Sequence, residues 1–246
     1  MEKDIALILP MRENSTRVKD KMLRPLSHRW GGTETYSICL ASLALGTLCN
    51  IAQSDNNPFN RIAVAISPKD KRLMKLAKEY KRIEIIERDD NSVSNEKETV
   101  AGIHSYLKKI DNEYIMFMNA CMPFVKANTY IKWGTFFRKS PYISFMPVLK
   151  RRNYFFDGET KKLLTEMNPE CTSTTKMNAT YECIHTGFGF QREKIFKENR
   201  YWTLTPYDPY IMQCQDSKEW LDVDEEWQWK LVKDLLVGQL HVGMFH

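Results

Sequence analysis

No apolar stretch in this chain approaches the length of a membrane span. The first hydrophobic run, residues 5–9, is also too short for the core of a secretory signal and breaks at Pro10 and Arg12. No C-x-x-C pair is present. Cys39, Cys49, Cys121, Cys171, Cys183 and Cys214 are scattered, so the expectation is reduced thiols in a cytoplasmic protein, not a disulfide framework. Without secretion, the sequons at Asn14 and Asn178 carry no meaning. A large charge imbalance is missing too: the net charge is +5, and basic residues alternate with acidic ones, as in residues 69–82. That segment reads as the wet face of an amphipathic helix and argues against a nucleic-acid surface. The Gly-rich G-x-x-x-x-G-K-[ST] frame is absent, which excludes a Walker A loop. Internal repeats and low-complexity segments are absent as well.

What remains is an ordinary globular composition, 43% apolar and 27% charged over 246 residues. That suits one α/β domain, residues 1–246, with a core that needs no disulfide or metal to fold. The most informative segment follows the first apolar run. A polar loop there carries Arg12, Arg17, Lys19 and Lys21, with Ser15 between them. Cationic side chains and backbone N–H groups neutralise phosphate, so the loop is a candidate polyphosphate receptacle. A solvated basic turn is the plainer alternative.

Strand-like runs alternate with helical spacing through the first two-thirds of the chain. Expected strands are Ile5–Leu9, Arg61–Ile66, Arg82–Ile86, Tyr114–Met118 and Tyr142–Val148. Expected helices are Thr35–Ala52 (capped by Thr33 or Thr35), Lys69–Tyr80, Asn95–Ile110 (starting near Thr99) and Asn128–Lys139. Strands joined by such helices imply right-handed crossovers and a mostly parallel sheet flanked by helices. Ligands then bind outside the carboxyl ends of the strands, where the basic loop and residues 119–124 fall. Residues 150–186 break the pattern. Asp157-Gly158 is a hairpin signal, and the segment reads as a β-hairpin excursion from the main sheet. The chain returns with strands at Gly187–Phe190 and Tyr210–Gln213 and a last helix over Glu225–Val237.

Asp222 and Asp224 form the second chemical cluster. Alternation along an extended segment puts both carboxylates on one face, a pattern that suits Mg²⁺ bridging to substrate phosphates. The competing reading is acidic decoration of a helix start. His104 falls inside an expected helix and reads as a packed or surface histidine, whereas His185 at a strand edge stays open. Cys121 lies at the expected ligand edge with no histidine near it in sequence, a poor nucleophile. Lys176 is either a carboxylate holder or an exposed loop lysine. Tyr154-Phe155-Phe156 reads as apolar packing at a subunit contact.

Taken together, these residues resemble the acylneuraminate cytidylyltransferase family, the CMP-sialic acid synthetases. The family opens with I-P-A-R-x-x-S-K-x-x-x-x-K-N, and Leu9-Pro10-Met11-Arg12 through Lys21-Met22 matches with Arg12, Ser15 and Lys21 in register. Arg88, the Pro123 loop (family L-Q-P-T-S-P-L) and Gly187 (family N-G-A-I-Y) follow in order. The close, Tyr210 to Ser217 and then Leu221-Asp222-Val223-Asp224, is similar to the family's D-I-D sequence.

The resemblance implies a Rossmann-like nucleotidyltransferase fold and transfer of CMP from CTP to a nonulosonic sugar acid, with release of pyrophosphate. It implies catalytic roles for Arg12, Lys21 and Asp222, and nucleotide contacts from Arg12, Ser15, Lys21, Arg88 and Asn119. The sugar acid falls to Lys176, Thr186 and Gly187, and Mg²⁺ to Asp222 and Asp224. A homodimer built through the excursion is also implied. Departures from the family pattern are Thr16, Met22, Asn119, Cys121, Val125 and Ile184. They keep two alternatives open: a D-x-D nucleotide-sugar glycosyltransferase, and a non-catalytic nucleotide-binding relative.

Overall fold

Strand β1, Ile5–Pro10, is buried on both faces, as expected of a continuous apolar run at the centre of a parallel sheet. Strand alternation sends Ile5, Leu7 and Leu9 into one core and Ala6 and Ile8 into another on the opposite face. The computed structural model describes all residues except 1, 32–33, 90–91, 93–98, 167–172, 215–218 and 243–246, with backbone alone for 28–31, 34–36 and 237–242. The other sheet strands are β4 (Arg61–Ile66), β5 (Glu84–Glu87), β6 (Tyr114–Phe117), β7 (Phe145–Arg151), β8 (Thr180–Cys183), β9 (Gly189–Gln191) and β10 (Tyr210–Cys214). Their order is β10-β7-β9-β6-β1-β4-β5, with β8 paired to β7.

β1 pairs in parallel with both β4 and β6, β4 with β5, and β7 with β10, so the sheet is mostly parallel as expected. β9 runs antiparallel between β6 and β7. Helices α1 (Leu40–Gln53), α2 (Lys71–Lys78) and α4 (Ala127–Lys139) follow β3 (Glu34–Ile38), β4 and β6, and α6 (Glu226–Val242) is the last described element. α1 and α4 cover the face that holds Leu7, through Leu45, Leu48, Tyr130 and Phe137. Tyr106, Leu107 and Phe190 cover the other. Among the described residues no helix is long and apolar enough to cross a membrane.

The helix expected from Thr35 starts at Leu40 instead. Glu34–Ile38 is a strand, β3, paired antiparallel with β2, Ser27–Gly31. Thr35 therefore caps nothing, and Thr33 lies outside the described residues. The cap is Cys39: its N–H donates to the Ser42 hydroxyl, which donates back to the Cys39 carbonyl, both at 2.9 Å. Of the helix expected over residues 95–110, residues 95–98 lie outside the described residues. The rest is a single turn, α3 (Val100–Ile103), capped by Thr99, and then a 3₁₀ turn over Ser105–Lys109. The regular helix stops at His104, whose ring turns inward onto Tyr106 and Tyr201.

The excursion leaves from β7 and returns as β8, antiparallel to it, so both of its ends belong to the sheet. Its tip is not a two-residue turn. The Asp157 carboxylate accepts from the Glu159 and Thr160 N–H groups and the Thr160 hydroxyl, which widens the reversal until Phe156 meets Leu163.

Candidate active site

The basic loop is anchored at several points, although Arg12, Asn14, Thr16, Arg17 and Lys19 are exposed. It leaves β1 with the Met11 N–H bonded to Ala65, and Val18 is wholly buried in the core. Glu13 accepts from the Arg72 and Leu73 N–H groups at 2.7 and 3.0 Å, satisfying two donors at the start of α2. Asp20, in the left-handed region at φ 55°, pairs with Arg72 at 2.7 Å. These anchors hold Arg12, Ser15, Arg17 and Lys21 along a cavity of about 570 Å³ at the carboxyl edge of the sheet. Asn119 and Cys121, which follow β6, line it as well. Asp222 and Asp224 stand on the same cavity, and so does Arg88 after β5. Three strand spacings separate β5 from β6, about 14 Å.

The segment before α6 belongs to no strand among the described residues. The Val223 N–H donates to the Cys121 carbonyl at 2.9 Å, and the Val223 side chain is wholly buried. Burying Val223 turns both flanking carboxylates toward the cavity, as alternation requires. Gln228 then accepts the Asp224 and Glu225 N–H groups at 2.7 Å each, at the start of α6. The Lys21 ammonium donates to the Val223 carbonyl at 2.8 Å and lies 3.2 Å from Asp224 Oδ1. Arg17 meets the same oxygen at 2.7 Å.

Asp222 differs from its neighbour. Its Oδ1 is buried with no hydrogen-bond partner, and burial, then the charge of Asp224, push its carboxyl pKa up. An orphaned anionic oxygen beside a second carboxylate fits a hard cation that takes few protein ligands and fills its shell with water and phosphate. Among the described residues no group of three or more His, Cys, Asp or Glu is arranged to hold a metal. A dedicated all-protein cage is thus not the pattern.

Of the expected site residues, Arg12, Ser15, Lys21, Arg88, Asn119, Asp222 and Asp224 share this cavity; Lys176, Thr186 and Gly187 do not line it. Thr186 is wholly buried; its hydroxyl accepts from the Asn119 N–H at 2.9 Å and meets the Tyr130 hydroxyl at 2.7 Å. It holds the Asn119 loop in place and offers nothing to a ligand. Gly187 has φ +69°, and a Cβ there would lie 2.2 Å from the Trp133 ring, so close packing explains the glycine. Lys176 is exposed on the 3₁₀ turn Thr174–Lys176, away from the cavity.

Two histidines were weakly signalled in sequence. His185 is exposed and lines the cavity that Asp222 shares. Its position one residue before the Thr186-Gly187 pair was the available signal. His104 is buried, as expected of a packed histidine. Burial, then the neighbouring Arg88 charge, lowers its pKa to about 3. The Cys121 thiol faces Lys21 and Asp222, and burial pushes its pKa up, against a nucleophilic role.

No family model matches the chain, and no curated protein matches it. Solved structures do. The CMP:2-keto-3-deoxy-manno-octonic acid synthetase complexed with CTP is 10% identical, with a TM-score of 0.63 over 96% of this chain and 99% of its own. The 4-diphosphocytidyl-2C-methyl-D-erythritol synthase of Anaerococcus prevotii is 12% identical, with a TM-score of 0.60 over 95% and 96%. The bifunctional IspDF of Campylobacter jejuni is 16% identical, with a TM-score of 0.55 over 90% of this chain. This chain spans about half, 52%, of that bifunctional protein. At these identities the likeness establishes the fold alone, a Rossmann-like, mostly parallel sheet flanked by helices.

Proposed function

We propose that this chain is a cytidylyltransferase that moves CMP from CTP to a nonulosonic, sialic-acid-like sugar and releases pyrophosphate. One observation carries the reading: Lys21 and the Asp222–Asp224 pair meet on a single cavity at the carboxyl edge of the sheet. That juxtaposition offers cations for a triphosphate and carboxylates for its counter-ion. Structural neighbours named for CTP and cytidyl chemistry support the same choice of nucleotide.

In this reading the anomeric hydroxyl of the sugar acid attacks the α-phosphorus in line, and pyrophosphate leaves. Little covalent work falls to the protein, so positioning and charge neutralisation dominate. Arg12 and Lys21 neutralise the triphosphate and the charge developing at the α-phosphoryl group. Ser15, Asn119 and Arg88 hold the rest of the nucleotide. Asp222, with Asp224 beside it, would hold Mg²⁺, which when bound supplies phosphate neutralisation and a lower pKa for the attacking hydroxyl. Lys21 exchanges its contact with Asp224 for phosphate as the nucleotide enters. Lys176 binds the sugar carboxylate from a second copy of the chain, joined through the excursion, where Phe156, Leu164 and Tyr181 are exposed.

Of the departures from the family pattern, Thr16, Met22, Asn119 and Cys121 line the cavity, so a non-catalytic nucleotide-binding relative stays the second reading. Val125 and Ile184 are buried in the core and lie outside the cavity lining, so neither removes a polar group from it. For the glycosyltransferase alternative, a D-x-D following a central strand is expected, whereas here it precedes the last helix. The test is incubation with CTP, Mg²⁺ and a panel of sialic, pseudaminic, legionaminic and octulosonic acids, with pyrophosphate measured. Release that depends on one acid supports the proposal. CTP binding without turnover identifies a binding relative, and turnover only of a nucleotide sugar identifies a glycosyltransferase.

A further inference from the structure

A row of three side chains, two buried and one half-buried, reaches the wall of the cavity at His104 and takes no part in the chemistry above. The two ring nitrogens of His104 lie 3.1 Å from the Tyr106 hydroxyl and 2.6 Å from the Tyr201 hydroxyl. Phe117 packs on the imidazole at 4.8 Å between centroids. Tyr106 is wholly buried, and its ring centre lies 5.4 Å from the Arg88 guanidinium. Arg88 is itself buried, donating to the Met11 carbonyl at 3.3 Å and to the Ser92 carbonyl and hydroxyl. A guanidinium carries five N–H groups, so these bonds leave donors for a ligand in the cavity that Arg88 lines.

Resting on the reading that this cavity takes CTP, we infer that the Tyr201–His104–Tyr106 row positions Arg88 for the nucleotide, with His104 as its central positioning residue. Together with Arg88, the row draws on three separate segments: the end of β5, the 3₁₀ turn after α3, and the chain after α5 (Arg192–Glu198). A neutral imidazole has one donor and one acceptor nitrogen, so one tyrosine donates to it and the other accepts from it. Both ring nitrogens are thereby committed, and the ring cannot turn without leaving a buried polar group unpaired. Its neutrality follows from burial and from the Arg88 charge close by. The fixed Tyr106 ring gives the guanidinium one face to rest on, while Met11 and Ser92 set its other edges. Arg88 is then held before ligand arrives, which lowers the ordering cost of binding.

Tyr106→Phe and Tyr201→Phe each delete one hydroxyl and keep the ring, and Tyr201, being less buried, carries the test if the first variant folds poorly. Each substitution is expected to weaken CTP binding about fivefold to twentyfold by calorimetry. Neither weakens it further in an Arg88→Ala background, because the row acts through Arg88. In nucleotide-free protein, the Arg88 Nε–H NMR signal exchanges faster with water in both variants. Equal losses with and without Arg88, or an unchanged Arg88 signal, overturn the inference. If the unmodified protein binds no CTP, the reading of the cavity fails, and the Arg88 signal alone decides the role of the row.

Discussion

The Lys21 ammonium donates 2.8 Å to the carbonyl oxygen of Val223, tying together segments 202 residues apart. The lysine is 7% exposed, so the contact is a fixed joint between the basic loop and the acidic pair. It holds cation and carboxylates on one cavity.

Lys21→Ala removes that joint. Pyrophosphate release is expected to fall about 100-fold or more, the scale of losing one charge-stabilising donor. Urea melts should show a loss of about 1–3 kcal/mol, because the buried Val223 carbonyl loses its partner. Near-normal turnover in this variant would remove the main support for the proposed function.

Asp222 should trade stability for activity. Its carboxyl pKa is raised by burial and by Asp224. Between the ordinary and the raised value, the folded state binds more protons than the unfolded state, so stability falls as pH rises through that window. Above it the penalty is complete. Asp222→Asn is therefore expected to raise Tm at pH 7 by about 1–3 °C, while CMP transfer is lost. Mg²⁺ should stabilise the original protein and leave the variant unmoved. A lower melting point for the variant would contradict this account.

Asp208 shows the opposite sign. Burial opposes its charge, but hydrogen bonds from Lys194, Ser144 and Thr203 outweigh that and bring its pKa down to about 2. The stability it contributes is present above the ordinary carboxylate value and is lost as pH falls through about 2. Asp208→Asn leaves the buried Lys194 ammonium without its counter-charge and should cost about 3 kcal/mol at pH 7. Denaturation midpoints measured from neutral to acid pH should converge for the two proteins at the acid end.

Thr186 and Gly187 are expected to behave as structural residues. Gly187→Ala places a methyl against Trp133 at a positive φ and should cost about 3 kcal/mol or more. Thr186→Val strands the Asn119 N–H and the Tyr130 hydroxyl, whereas Thr186→Ser keeps both bonds and should restore stability. A change in acceptor preference with unaltered stability in either variant would return them to the binding site.

Much of this was legible locally. The run Ile5–Leu9 reads as a buried strand, and the order of strands and helices that follows it determines a mostly parallel sheet, whose carboxyl edge is where folds of this kind take their ligands. Lys21, Asp222 and Asp224 stand out through their register with the family motifs, since charge type and spacing alone leave a basic turn and an acidic helix start open. The start of α1 was misread because Thr35 sits at helical spacing, while its strand pairing depends on residues 27–31. Thr186 and Gly187 looked like ligand contacts because nothing nearby in the chain marks Tyr130 and Trp133 as their neighbours. Short-range period and side-chain identity suffice for the alternation of elements and for the chemical types present at the sheet edge. Which of those side chains meet depends on the folded chain. Contacts such as Lys21 to Val223, or His104 to Tyr201, exist because distant segments are brought together when the two cores close around the sheet.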